Sequence, residues 1–317
     1  MRKTFSDLAR RLSPRHSAGD AVVLMYHRVC AGAFPGGVSV SPAHFAEHLQ
    51  ALRGSFTILP LGELCRLRAA GTVPRRSLAI TFDDGYLDNL TEAKPLLEQY
   101  DVPATVFVVS GYVGSGQRFW WDELERICTS PETLPGHLEL SIRGVTRTWT
   151  TASNHDRRPF FRELREELGA LEESERQETL GQLRSWAGAT TRTTEVETLS
   201  TDQLKVLSAG EIVSIGAHTV THPRLPGLSR QRQLEEIRDS TQQLESMIGR
   251  SVSLFSYPFG AHDQTTVACA REAGVACACT TDAGGVRGST DPHRLPRLYV
   301  GDWPAEDVVA RISARLH

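Results

Sequence analysis

Thr81-Phe82-Asp83-Asp84-Gly85 sets two adjacent carboxylates at the end of the apolar run Ser77-Leu78-Ala79-Ile80. Charges at the mouth of a buried strand must be met by a cation, by hydrogen bonds or by a proton. In an extended chain neighbouring side chains point to opposite sides, so the two acids can take different tasks. One can bind a metal while its neighbour handles a proton. The plain structural alternative is helix capping, with Asp84 or Asp88 opening the next helix. His218-Thr219-Val220-Thr221-His222 follows a second strand-like run, Glu211 to Ala217. Two imidazoles four residues apart suit a divalent transition metal, with a carboxylate from elsewhere completing a facial set that leaves positions open. Pro223 disfavours helical backbone at His222, which places the pair in a loop or tight turn. A lone pair of this kind arises by chance among surface histidines. Joined to Asp83-Asp84, and placed like them at a strand end, it carries weight.

Three more strand-like runs end in polar or aromatic residues. Ala21 to Met25 leads into Tyr26-His27-Arg28, and Leu254-Phe255-Ser256-Tyr257 into Pro258-Phe259-Gly260; Arg294 to Val300 carries Arg297. Reactive groups gathered at the C-terminal ends of separated strands are the placement expected of an active site in a parallel (β/α) barrel. The pattern predicts strands near 21–26, 77–82, 104–109, 211–217, 253–257, 275–280 and 295–300. Helices are predicted near 42–53, 60–70, 88–99, 200–208, 229–248, 263–274 and 304–315. Such alternation implies a parallel sheet. The parse is an N-terminal leader, 1–19, and one α/β domain, 20–317, a distorted (β/α) barrel of about seven parallel strands. Residues 114–199 break the rhythm and read as a mainly helical insert beside the site. They open on Phe119-Trp120-Trp121-Asp122, pass a Gly/Thr-rich stretch, and end in a charged segment, Arg157 to Arg184, that reads as solvent-exposed helix laced with ion pairs. Trp121 and Trp120 offer faces on which a sugar ring can stack; the alternative is that they anchor the insert to the barrel.

The 317 residues suffice for a large core, and a net charge of −3 gives no electrostatic reason to expect nucleic acid. No run approaches the length of a membrane span. The first twelve residues are basic without an apolar segment behind them, so they read as a solvated leader rather than a secretory signal. A short amphipathic helix making peripheral membrane contact is the alternative. The six cysteines form no CxxC pair and no regular framework, which suits a reduced, cytoplasmic protein. His16, His44, His48, His137, His155, His262 and His317 have no partner at ligand spacing and are expected at the surface. Asp88 and Asn89 are expected to cap the helix after the acidic motif, or to brace the loop around Asp84.

Taken together, the motifs resemble those of the polysaccharide deacetylase family, carbohydrate esterase family 4, also described as the NodB-homology domain. Its first motif, T-F-D-D-G, is similar to Thr81–Gly85, and its second, H-[S/T]-x-x-H, to His218–His222. The turn Pro258-Phe259-Gly260 resembles the third motif, which shapes one wall of the groove. The resemblance spans roughly residues 20 to 300, apart from the insert. It implies a metal-dependent hydrolase that removes the acetyl group of an N-acetylated sugar, with Asp83 as catalytic base and Asp84, His218 and His222 as metal ligands. Zinc is the default ion; cobalt, nickel and iron(II) suit the same donors. Two departures stand out. The arginine expected in the third motif is replaced by Ser256 or Tyr257, and the late Leu-x-His that supplies a general acid is absent. Met25-Tyr26-His27-Arg28 resembles instead the branch of bacterial exopolysaccharide deacetylases of poly-N-acetylglucosamine type. That likeness implies His27 as the acid, with Arg297 standing in for the missing arginine and His293 as the rival acid. Tyr86, Pro258, Phe259 and Trp121 are the substrate-groove residues expected on this basis. A backbone N–H near Tyr86 or after Phe259 would face the developing oxyanion. Two other functions fit part of the pattern: a metal-dependent amidohydrolase acting on a non-sugar amide, and a silent carbohydrate-binding relative.

Overall fold

The computed structural model describes residues 21–31, 38–129, 134–188 and 197–316. The leader, His16 and His317 lie outside them, as does the side chain of His155. Among the described residues eight parallel strands form the main sheet: β1 (Ala21–Tyr26), β4 (Thr57–Ile58), β5 (Ser77–Phe82), β6 (Ala104–Val108), β9 (Val213–Ala217), β10 (Leu254–Ser256), β11 (Cys277–Cys279) and β12 (Leu298–Tyr299). Two two-stranded sheets stand apart: β2 (Arg28–Val29) with β3 (Ser39–Val40), and the antiparallel hairpin β7 (His137–Ile142) with β8 (Val145–Thr150). Seven strands run in the order β11-β10-β9-β6-β5-β1-β12, while β4 shares one edge of β5 with β6. The curve is closed by one extended segment: Leu295 pairs with Cys279 of β11, and Leu298–Tyr299 pair with β1. This is a distorted (β/α) barrel.

The strand cores are apolar on both faces, so each face acquires its own core, as parallel sheets require. Val22, Leu24, Tyr26, Leu78, Ile80 and Phe82 belong to the larger cluster, which includes residues of the surrounding helices. The alternate residues Ala21, Val23 and Ala79 join Phe107, Leu254, Cys277 and Cys279 in a smaller one, completed by leucines of the helix Leu61–Ala69. On β5 the second alternation continues through Thr81 to Asp83, which directs that carboxylate inward.

Register aligns the functional ends. Ala21 through Tyr26 pair one-to-one with Ser77 through Phe82, and the Asp83 N–H donates to the Tyr26 carbonyl at 3.0 Å, so His27 follows beside the acidic pair. Val108 pairs with Ala217, whose other neighbour is Phe255, which brings His218 and Ser256 to the same rim.

The insert has its own core. Trp120, Trp121 and Leu124 of the helix Trp120–Thr129 pack with Leu138 and Leu140 of β7, and with Phe160, Leu164, Leu180 and Leu183 of the helices Asn154–Gly169 and Glu173–Ala187. Tyr86, Val109 and Tyr112 from the barrel rim join the same cluster. The β7–β8 hairpin occupies the Gly/Thr-rich stretch of an insert that sequence alone reads as mainly helical. His48 departs from its expected surface position. It is fully buried, its Nε2 2.7 Å from the Trp303 carbonyl and its Nδ1 3.3 Å from the Tyr26 hydroxyl. Among the described residues no helix is long and apolar enough to cross a membrane.

Candidate active site

Asp83 and Asp84 part company at the end of β5. Asp84 adopts φ 75° and Gly85 φ 77°, two successive left-handed residues that turn the chain sharply. A Cβ at Gly85 would come within 3.1–3.2 Å of Val108, so this corner needs glycine on both counts. Asp83 turns inward and meets Arg297, whose Nη1 and Nη2 each donate at 2.7 Å to a different carboxylate oxygen. The guanidinium is itself held by the Thr280 carbonyl (2.8 Å), Thr81 Oγ1 (3.1 Å) and Ser256 Oγ (2.9 Å). Arg297 is 1% exposed and Asp83 3%. Burial by itself would raise the Asp83 pKa; the Arg297 charge and its hydrogen bonds outweigh it and hold the carboxyl well below the usual carboxylate range. Asp83 is therefore a fixed anion with its orientation locked, as a bidentate fork requires.

Asp84 faces the histidine pair. One of its oxygens lies 3.5 Å from His218 Nε2 and 3.4 Å from His222 Nε2, and the two nitrogens are 3.2 Å apart. His218 Nδ1 donates to the Ser256 carbonyl at 2.7 Å, which leaves the lone pair on Nε2. Burial drives the His222 pKa well below the ordinary imidazole value, so that ring is neutral. Three electron-rich atoms thus converge on one point, an arrangement that a cation relieves. Metal bonds of about 2.0–2.2 Å at tetrahedral angles separate ligand atoms by about 3.3 Å, close to what is found. The donors fit a divalent transition ion, and among the described residues this is the only cluster of three metal-competent side chains at such spacing.

The loop carrying the histidines is strained and clamped. Thr219 (φ 65°) and His222 (φ 56°) both occupy the left-handed region. Glu236, from the helix Arg230–Ile248, accepts the N–H groups of Val220 (2.8 Å) and Thr221 (2.9 Å) and the Thr221 hydroxyl (2.8 Å). Arg176 of the insert donates to the Thr221 carbonyl at 2.8 Å and also to the carbonyls of Leu168 and Leu171. The charged segment is thus not wholly solvent-exposed: Arg176 is fully buried and ties the insert to the histidine-bearing loop.

His27 stands at the same mouth, close enough for Asp84 and Asp83 to raise its pKa; burial prevails and leaves the ring below its usual value. Its Nδ1 is buried without a hydrogen-bond partner, and its carbonyl accepts from Asn89 Nδ2 at 2.8 Å. Asp88 makes no helix cap. It takes Arg28 Nε at 2.8 Å and the Val29 N–H at 3.2 Å, while the Arg28 guanidinium lies over the Tyr86 ring at 4.4 Å. Asp88 and Asn89 therefore brace the segment bearing His27. His293 points elsewhere: its Nε2 lies 2.8 Å from the Val275 carbonyl, before the start of β11 and toward the opposite end of the barrel.

Two groove residues expected from sequence are corrected. Tyr86 is 1% exposed, its hydroxyl donating to Asp122 (3.0 Å) and accepting from Trp121 Nε1 (2.8 Å). Trp121 is 6% exposed, stacked on Phe119 at 4.5 Å and set against the His222 ring at 4.2 Å. Neither presents a free face to a sugar. Trp121 anchors the insert and braces the His222 imidazole. Asp122 behind it is pushed up to about 8, chiefly by burial and then by Glu197. Pro258 is buried and sets the turn; Phe259 (φ 59°) is half-buried, 4.7 Å from the His222 ring. A Cβ at Gly260 (φ 67°) would collide with Thr281 at 2.0 Å, which explains the glycine after this turn. Sequence reasoning missed Arg165 and Arg224, whose guanidiniums lie over the Phe259 ring at 5.3 and 4.7 Å. Only the position of Arg224, two residues after His222, offered a signal.

A parallel (β/α) barrel with a two-histidine, one-carboxylate cluster and a separately clamped carboxylate at its C-terminal rim is an arrangement suited to metal-assisted hydrolysis. The sequence profile of the family described as polysaccharide deacetylase matches residues 70–137 and 165–278, and the chain belongs to that family. It is 22% identical over 280 residues to a putative polysaccharide deacetylase of Bacillus subtilis, YxkH, covering 88% of this chain and 70% of that protein. A 114-residue stretch is 30% identical to the poly-beta-1,6-N-acetyl-D-glucosamine N-deacetylase of Staphylococcus aureus; the match covers 32% of this chain and only 39% of that protein. The fold is similar to that of the Streptococcus pyogenes deacetylase PplD (TM-score 0.63, 19% identity, 92% of this chain and 98% of that one). It is likewise similar to that of IcaB from Ammonifex degensii (TM-score 0.61, 20% identity, 93% and 98%).

Proposed function

We propose that this chain hydrolyses the acetamide of an N-acetylated sugar, releasing acetate and a free amine. The division between the neighbouring carboxylates carries this reading. Asp83 is gripped by Arg297 with its charge preserved, while Asp84 faces the imidazole pair. A module that only binds carbohydrate has no use for that division. When bound at Asp84, His218 and His222, a divalent ion, zinc by default, supplies Lewis acidity toward the amide carbonyl and lowers the pKa of water. Asp83 takes a proton from the water whose oxygen adds to the carbonyl carbon. Arg297 keeps its oxygens aimed and prevents the carboxylate from rotating onto the neighbouring centre. The His27 ring is neutral at rest, since burial lowers its pKa. The proton leaving the water therefore ends on the amine nitrogen through Asp83 and then His27, as the C–N bond breaks. The poly-N-acetylglucosamine activity in the name of the Staphylococcus aureus relative supports an N-acetylglucosamine-type substrate.

The test is acetate release from N-acetylglucosamine oligomers, with and without chelator. Release that stops on chelation, returns with added zinc, and falls about a hundredfold in Asp83→Asn while metal content stays constant is the expected result. Near-normal turnover in Asp83→Asn would overturn the assignment.

A further inference from the structure

The wall beside the metal site is cationic in a way that acetamide hydrolysis does not require. Arg165, from the insert helix Asn154–Gly169, lays its guanidinium over Phe259 at 5.3 Å, and Phe259 is 4.7 Å from the ligand His222. Among the described residues the Arg165 guanidinium has no ion pair within 4 Å and no hydrogen bond, although the residue is half-buried. Arg224 covers the same ring at 4.7 Å; its Nη2 pairs with Glu166 at 2.6 Å, while its Nε is buried without a partner. The carboxyl that Arg165 faces, Glu125, is pushed up to about 7 by burial, so it offsets the positive wall only in part. An arginine stacked on an aromatic ring is pre-ordered, and its fork matches carboxylate and phosphate oxygens.

We propose that Arg165, with Arg224 beside it, recognises an anionic substituent, carboxylate or phosphate, on the N-acetylated sugar whose acetamide enters the metal site. This rests on the deacetylase reading and adds the class of sugar. Phe259 touches both His222 and Arg165, which keeps that guanidinium within one or two sugar widths of the metal site, so the charge belongs on the reacting residue or its immediate neighbour.

The test uses an N-acetylglucosamine tetramer and counterparts with one phosphate or one carboxymethyl group at O3 or O6 of the terminal sugar. Affinity is measured by calorimetry and acetate release in parallel, on the metal-loaded protein, Arg165→Ala and Arg165→Lys. The wild type should bind at least one charged ligand about tenfold more tightly than the neutral tetramer at low salt. Arg165→Ala should erase that gap, Arg165→Lys should restore part of it, and added salt should narrow it. The phosphate and carboxymethyl arms decide which anion is preferred. Equal affinities for neutral and charged ligands in the wild type, or a gap that survives in a folded Arg165→Ala protein, would overturn the proposal. Charge selectivity without acetate release would leave this anion wall standing and sink the deacetylase reading; acetate release without selectivity would do the reverse.

Discussion

Arg297→Met tests the clamp on Asp83 and keeps most of the side-chain volume. It deletes two 2.7 Å hydrogen bonds to the carboxylate and the bonds to Thr280, Thr81 and Ser256. What remains is Asp83, 3% exposed, with Ser256 Oγ 3.4 Å away. Removing one member of a buried ion pair costs about 3–5 kcal/mol, because the survivor keeps its desolvation penalty without its partner. Asp83→Asn alone strands the guanidinium in the same way. The double variant removes both charges, so it should cost less than the two single changes added together, by about 2–3 kcal/mol. Urea unfolding of the metal-stripped protein at neutral pH, followed by tryptophan fluorescence, measures all four corners of the cycle. Metal content of Arg297→Met should stay close to wild type, since Asp84, His218 and His222 are untouched, while turnover falls about a hundredfold with the base misaimed. A single-variant cost below about 1 kcal/mol, or strict additivity in the double variant, would refute the clamp.

His218→Ala/His222→Ala should abolish stoichiometric metal binding by elemental analysis, because Asp84 alone holds such an ion poorly; full occupancy would end the assignment. His27→Ala should retain metal and slow acetamide hydrolysis severely, while an acetate ester with a good leaving group suffers less, since its alcohol needs less protonation. His293→Ala, altered at a side chain bonded to the Val275 carbonyl, should leave turnover near wild type; the reverse pattern for the two histidines would return the acid to the late position. Glu236→Ala removes three hydrogen bonds from the ligand loop and should weaken metal affinity about 10–100-fold, read by competition with a chromogenic chelator. Unchanged affinity would mean that Arg176 and the barrel hold the loop unaided.

Much of this site is local in the chain and was legible there. The strands are short, uninterrupted apolar runs closed by polar residues, and a parallel barrel puts such ends on one rim whatever the details of packing. Asp83-Asp84 and His218–His222 each lie within one turn of chain, so spacing and residue type suffice to suggest what they do. Longer-range choices were open until the chain closed on itself. Arg297 was expected to stand in for the arginine missing at Ser256 or Tyr257, and only the closing segment at Leu295 decided: it pairs with β11 and then β1, carrying Arg297 into the interior 214 residues from its carboxylate. Trp121 could face a sugar or a core; the helices of the insert surround it and choose the core. Arg176 and Arg165 look alike in a charged, helical stretch, yet one is entombed beneath the metal loop and the other lies over Phe259. Local sequence specifies which groups a strand end offers, because geometry within a few residues is nearly fixed by the backbone. Which of them meet, and which remain free for a ligand, depends on desolvation and packing between segments far apart in the chain, and these exist only in the folded molecule.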